Sequence, residues 1–170
     1  MAVVRGDRHP LPMPFRGGKA ALLVVLLLVL VLASANVASA GLTAREQALV
    51  GAVNEARATN GVGELRVDAT LTRAARYQSR VSLARDVLAH GDFADRLRRF
   101  GATGRMLGEN LAWASAAAAD ARAIVRAWMR SPAHRENLLR PGFRRIGLGA
   151  VVGEFNGWPG ATVVTADFAG

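Results

Sequence analysis

The sequence predicts an α+β fold in which helices come first and an antiparallel hairpin comes last. Three observations carry this. Apolar residues up to about position 140 recur at helical spacing behind capping residues. The last thirty residues switch to alternation with a period of two. Asn156-Gly157 and Pro159-Gly160 then supply turn signals between the two β-rich stretches. Helices that precede strands in this way bury their apolar stripes by covering a sheet.

The elements follow in order. Thr43-Ala44-Arg45-Glu46 reads as a capping box, in which the threonine oxygen accepts a backbone N–H and the glutamate reaches back. Leu49, Val50, Val53 and Ala56 continue one face, and Asn60-Gly61 stops the helix, which spans 43–59. Asp68 caps a second helix with Leu71, Ala74, Ala75 and Gln78 on one side, running to Leu83 or beyond. A loop around His90-Gly91-Asp92 leads to a short amphipathic helix over 93–100. Residues 104–108 read as loop, and 109–113 as a short strand in which Glu109-Asn110 brackets a turn. Asp120 caps a third helix that buries Ile124, Val125, Trp128 and Met129. Ser131-Pro132 fits an N-cap and first residue of the next helix. Ile146, Leu148, Ala150 and Val152 alternate as in a half-buried strand, and 161–168 is β-rich again.

The first forty residues stand apart. Arg5, Arg8, Arg16 and Lys19 precede an apolar run over 20–35, and Ala38-Ser39-Ala40 follows. This is the three-part pattern of a secretory signal peptide cleaved before Gly41; the competing reading is an uncleaved membrane anchor over the same residues, 1–40. Either reading places the folded part, 42–168, outside the cytoplasm. The chain of 170 residues is then one domain behind a leader. It has no cysteine, which excludes disulfides, thiolate zinc sites and a cysteine nucleophile. The net charge is +9. It reads as a solvated basic surface or as attraction to an anionic partner such as an acidic envelope polymer or a lipid headgroup.

Three features carry chemistry: His90 followed by Gly-Asp-Phe, the Gly108-Glu109-Asn110 triplet, and the polar-aromatic block from Trp128 to Leu139. Together with Asn54-Glu55-Ala56-Arg57, Gly147-Leu148-Gly149 and Asp167-Phe168, they occur in an order that resembles the CAP superfamily, also called the SCP-like extracellular domain. The resemblance covers about Leu42 to Phe168 and implies a three-layer α-β-α sandwich of CAP type. It also implies a shared cleft. Relatives place two histidines and two glutamates there, and His90, Glu109 and His134 match three of the four. The fourth falls on Ser131. The cleft implied here therefore comprises His90, Glu109, His134, Asn110 and Ser131, with His90, His134 and Glu109 as ligands for zinc or another divalent metal and Glu109 as the candidate catalytic group. The same side chains also read as hydrogen-bonded ties between helices, loop and sheet.

Other residues have structural readings. Trp113 and Trp128 belong to the core, Trp158 in the turn is placed to meet a lipid or partner, and Arg57 pairs with a carboxylate or a helix end. No His-Glu-x-x-His or Gly-x-Ser-x-Gly motif occurs, and Gly147-x-Gly149 lies in a late strand with no following helix, which argues against a dinucleotide site. Arg96, Arg98, Arg99 and Arg105 form a basic cluster, as do Arg140, Arg144 and Arg145; nucleic-acid binding would need these on one face with stacking aromatics, and export argues further against it. Two functions stay open. One is a non-catalytic extracellular or envelope module that binds a lipid, an envelope polymer or a protein. The other is a metal-assisted hydrolase built on His90, Glu109 and His134.

Overall fold

A computed structural model describes residues 41–170. The leader reading falls on 1–40, outside the described residues. Within 41–170 the elements are α1 (Ala44–Thr59), β1 (Arg66–Val67), α2 (Ala69–Arg85), α3 (Phe93–Arg99), β2 (Leu107–Ala114), α4 (Ala121–Arg130), α5 (Pro132–Leu139), β3 (Arg145–Phe155) and β4 (Trp158–Ala169). The four strands form one sheet in the order β1-β3-β4-β2. β1 runs parallel to β3, and the other pairings are antiparallel.

The caps act as their residue types dictate. Thr43 and Glu46 complete the reciprocal capping box of α1, and Gly61, with φ +70°, takes the left-handed position after its end. The Asp68 carboxylate accepts from the N–H groups of Thr70 and Leu71 at 2.8 and 3.1 Å. Asp120 accepts from Ala123 N–H at 2.9 Å. Ser131 departs from expectation: Pro132 starts α5, but the serine side chain makes no capping bond.

One face of the sheet is covered by α1, α4 and α5, whose Leu49, Val53, Ile124, Val125, Trp128 and Leu138 pack with Ile146, Leu148, Val164, Ala166 and Phe168. α2 and α3 cover the other face, so the layers are α-β-α. Here α2 lies unusually close to β3. A Cβ on Gly147 would collide with the backbone of Leu71 and Thr72, and one on Gly149 would sit 2.5 Å from the Ala75 backbone. The Gly-x-Gly pair is therefore a seat for a helix backbone. It also explains why β3 is buried on both faces over 146–149 instead of half-buried as its alternation predicts.

Two further departures lie in the strands. β2 begins at Leu107, two residues before the expected start, because its pairing with β4 extends from Leu107↔Ala169 to Ala114↔Thr162. The Asn156-Gly157 turn has positive φ at both residues and joins β3 to β4 directly. Pro159-Gly160 is not a turn. The register runs Phe155↔Trp158 and then Gly153↔Ala161, so Pro159 and Gly160 together oppose Glu154 in a bulge, where a missing N–H and a positive φ are tolerated.

Candidate functional site

The site grows out of β2, an edge strand. Successive side chains of a strand point to opposite faces. Glu109 faces the α2–α3 layer and Asn110 faces the α4–α5 layer, as their partners show. Gly108 precedes them because a Cβ there would sit 2.7 Å from the Phe143 ring, which stacks on Phe168 at 5.4 Å between centroids.

Register places Asp167 of β4 directly opposite Glu109. Two carboxylates facing each other across a ladder repel unless a cation lies between them. Arg96 of α3 is that cation. It is buried, its Nη2 donates to Glu109 Oε2 and, at 3.1 Å, to Asp167 Oδ1, and its Nη1 donates to Gln78 Oε1 at 2.9 Å. Gln78 in turn donates to the carbonyl of Ala89 at 2.7 Å, which draws the 86–92 loop onto α2. His90 follows, with Nδ1 2.8 Å from Glu109 Oε1. Burial lifts the Asp167 carboxyl well above its ordinary range; Arg96 opposes the rise and the Glu109 charge adds to it. Arg96 Nε and Asp167 Oδ2 are buried without a partner.

On the other face, Asn110 donates to the carbonyl of His134 at 3.0 Å. Asn137 donates to the carbonyl of Glu109 at 3.1 Å and to Asn110 Oδ1 at 3.0 Å. Trp128 Nε1 donates to the carbonyl of Leu111 at 3.0 Å. The block from Trp128 to Leu139 therefore closes the free edge of β2 with side chains, where an open edge invites another strand. Burial, and then the charge of nearby His90, lower the His134 pKa below its ordinary value of 6.5.

The sequence-derived residues divide accordingly. His90 and Glu109 are joined directly, and Asn110 touches His134. The Ser131 side chain makes no hydrogen bond to any of them. Both Glu109 oxygens are taken, one by His90 and one by Arg96. Among the described residues no group of three or more His, Asp or Glu side chains is arranged to hold a metal ion. Glu109-Asn110 does not bracket a turn either, since both residues lie within β2.

Several readings need revision in their partners. Of the two partners expected for Arg57 it meets the helix end, and among the described residues it pairs with no carboxylate. It is fully buried and donates to the carbonyls of Gly63, Leu138, Arg140 and Phe143, at 2.7, 2.6, 3.3 and 3.4 Å respectively. Two of these lie at the C-terminal end of α5, where a cation complements the helix dipole. Asn54 grips both backbone groups of Leu65, at 2.9 and 3.1 Å. Trp128 is core; Trp113 is half-buried and lies 5.5 Å from the Phe155 ring; Trp158 is 56% exposed. Arg96 leaves the surface cluster to which its sequence neighbours Arg98 and Arg99 belong. Gln78, Arg96 and Asp167 are the site residues that sequence reasoning missed in this role.

The described residues thus form an α-β-α sandwich with a histidine–glutamate pair on the edge strand of its sheet. The profile of the family described as CAP, cysteine-rich secretory protein family, matches residues 50–168. The chain belongs to that family. It is 32% identical over 119 residues to the uncharacterized protein YkwD of Bacillus subtilis, a match that covers 67% of this chain and 45% of that one. An SCP-domain extracellular protein of Bacillus anthracis superposes with a TM-score of 0.62 at 24% identity, covering 74% of this chain and 40% of its own. An outer surface protein of Borrelia burgdorferi also gives 0.62, at 20% identity, with 73% and 90% covered. These two likenesses establish the fold. The chain spans less than half the length of both Bacillus relatives.

Proposed function

We propose that the chain is a non-catalytic binding module of the cysteine-rich secretory type, exported to the envelope or the extracellular space, where it holds an anionic envelope polymer. One observation carries the non-catalytic reading: the Glu109 side chain is wholly buried, with Arg96 and His90 on its two oxygens. A general base has to reach its substrate's proton with an accessible oxygen. Export is supported by the leader pattern in the sequence and by relatives named as extracellular and outer surface proteins. The anionic partner is supported by a net charge of +6 on residues 41–170.

The test uses the 41–170 domain, which has its own continuous core. The domain is assayed against protein and ester substrates with and without zinc, and sedimented with isolated anionic cell-wall polymer and with neutral and anionic vesicles. The expected result is no hydrolysis and salt-sensitive retention on the polymer. Hydrolysis that disappears in His134→Ala would overturn the non-catalytic reading in favour of a hydrolase. Retention on vesicles alone would overturn the choice of polymer in favour of lipid.

A further inference from the structure

A groove of about 430 Å³ opens between the end of β2 and α4. Asn110 faces the α4–α5 layer, so alternation turns Ala112 and Ala114 of β2 the same way, and they form one wall with Ser115. Ala123, Ala127 and Arg130 form the other wall, spaced four and three residues apart on one face of α4. The chain reverses between β2 and α4, and Trp128 Nε1 reaches the Leu111 carbonyl, so Arg130 lies towards the Ala112 end. Trp158 of the β3–β4 hairpin stands at the other end. There a Cβ on Gly160 would lie 3.6 Å from the Ala116 Cβ, which sets the 158–160 stretch against the turn that follows β2. None of His90, Glu109, Asn110, Ser131 and His134 lines this groove.

The walls are short alanine side chains, so the trough is shallow, and Trp158 gives it an indole that is 56% exposed. Arg130 is the one charged residue in the lining. It is exposed and forms no ion pair among the described residues. No carboxylate lines the groove to neutralise it. The Ser115 hydroxyl makes no capping bond to the 116–118 turn that it precedes. An open indole, an unpaired guanidinium and a hydroxyl therefore share one apolar trough.

We infer that this groove binds an acidic oligosaccharide, with a pyranose ring stacked on Trp158 and a sugar carboxylate on Arg130. Two other anions match the charge but not the surface. An acyl chain gains by losing contact with water on all sides, and here exposed Trp158, Ala127 and Arg130 leave one side of the groove wet. A phosphate polymer meets Arg130 but offers the indole no flat apolar face. A pyranose has C–H groups on its face and hydroxyls at its rim, so it covers an indole while its hydroxyls stay hydrated or reach Ser115. Its carboxylate takes two N–H groups of the guanidinium in a fork. The inference rests on the binding-module reading above and gives the anionic envelope polymer a place on the domain and a repeating unit, a uronic acid.

The experiment titrates the 41–170 domain by calorimetry with a hyaluronan oligosaccharide, in which a uronic acid alternates with a neutral amino sugar. Comparisons are a neutral N-acetylglucosamine oligosaccharide of the same length and the variants Trp158→Ala and Arg130→Gln, whose fold is checked by circular dichroism. The expected result is saturable, salt-sensitive binding that weakens roughly tenfold with either substitution and with the neutral sugar. A third variant, Ala127→Glu, should weaken binding with Trp158 and Arg130 both intact. Four results would overturn the inference: no saturable binding, equal binding of the neutral sugar, binding that Trp158→Ala leaves unchanged, or displacement of the sugar by palmitate, which would assign the groove to a lipid. If the acidic sugar fails while the domain is still retained on cell-wall polymer, this inference falls and the proposed function stands.

Discussion

Arg96 of α3 lies between Glu109 and Asp167, two carboxylates on adjacent strands directly opposite each other, and the three groups are almost wholly buried. The guanidinium is what allows this pair of acids to face one way in the sheet. Replacing one partner of such a cluster leaves the others as uncompensated buried polar groups. Arg96→Met should therefore cost about 3–5 kcal/mol of stability. Urea denaturation checks it, and a loss below about 1 kcal/mol would mean that water satisfies the carboxylates without the arginine.

The same cluster fixes a pH dependence. Burial holds the folded-state pKa of Asp167 above its ordinary 3.8. The native state then keeps a proton over a pH window in which the unfolded chain has released it. Stability from this residue is thus present below the unfolded pKa and lost as pH rises through that window. Asp167→Asn has no proton to lose. The stability advantage of wild type over Asp167→Asn should shrink as pH rises above the ordinary aspartate range. His134, whose pKa is lowered, titrates in both proteins and cancels in the difference. An advantage that grows with pH would contradict the assignment.

The glycines of β3 offer a contrast within one protein. Gly149→Ala forces a methyl group against the backbone of Ala75, with strain of about 1–3 kcal/mol. Gly51 is exposed on α1 with nothing near its missing Cβ, so Gly51→Ala should stabilise by about 0.5–1 kcal/mol. Thermal melts of the two variants should move in opposite directions. A neutral Gly149→Ala would show that α2 can lift from the sheet.

The edge of β2 depends on side chains. Asn137→Ala removes the donor to the Glu109 carbonyl and to Asn110, at a cost of roughly 1–3 kcal/mol. Amide exchange should show faster opening of β2, with little change at the β3–β4 pairing. Uniform acceleration across the sheet would mean that Asn137 supports the whole core instead of one edge.

Much of the fold was legible in the sequence because its signals are local. Thr43, Asp68 and Asp120 announce helix starts by chemistry that acts within a turn, and Asn156-Gly157 fixes the hairpin. The resemblance pointed to His90, Glu109 and Asn110, and the structure joins the first two. What stayed hidden depends on register and depth. Arg96 stands among arginines that face solvent, and nothing local marks it as the buried one. Asp167 becomes a partner of Glu109 only once β2 and β4 are aligned. β1, two residues long, is too short to show a period. Pro159-Gly160 carries the composition of a turn, but the alignment of its neighbours makes it a bulge.

The strand order has a consequence for a chain that is made from its N-terminus. β4 lies between β3 and β2, so β2 has no strand to pair with until β4 has been made. Until then its carbonyls and the buried acid on it have no settled partners, and the helices already made have no complete sheet to cover. The topology therefore delays folding of the described residues until the polypeptide is almost complete. A chain ending before Trp158 should show no cooperative unfolding transition at all.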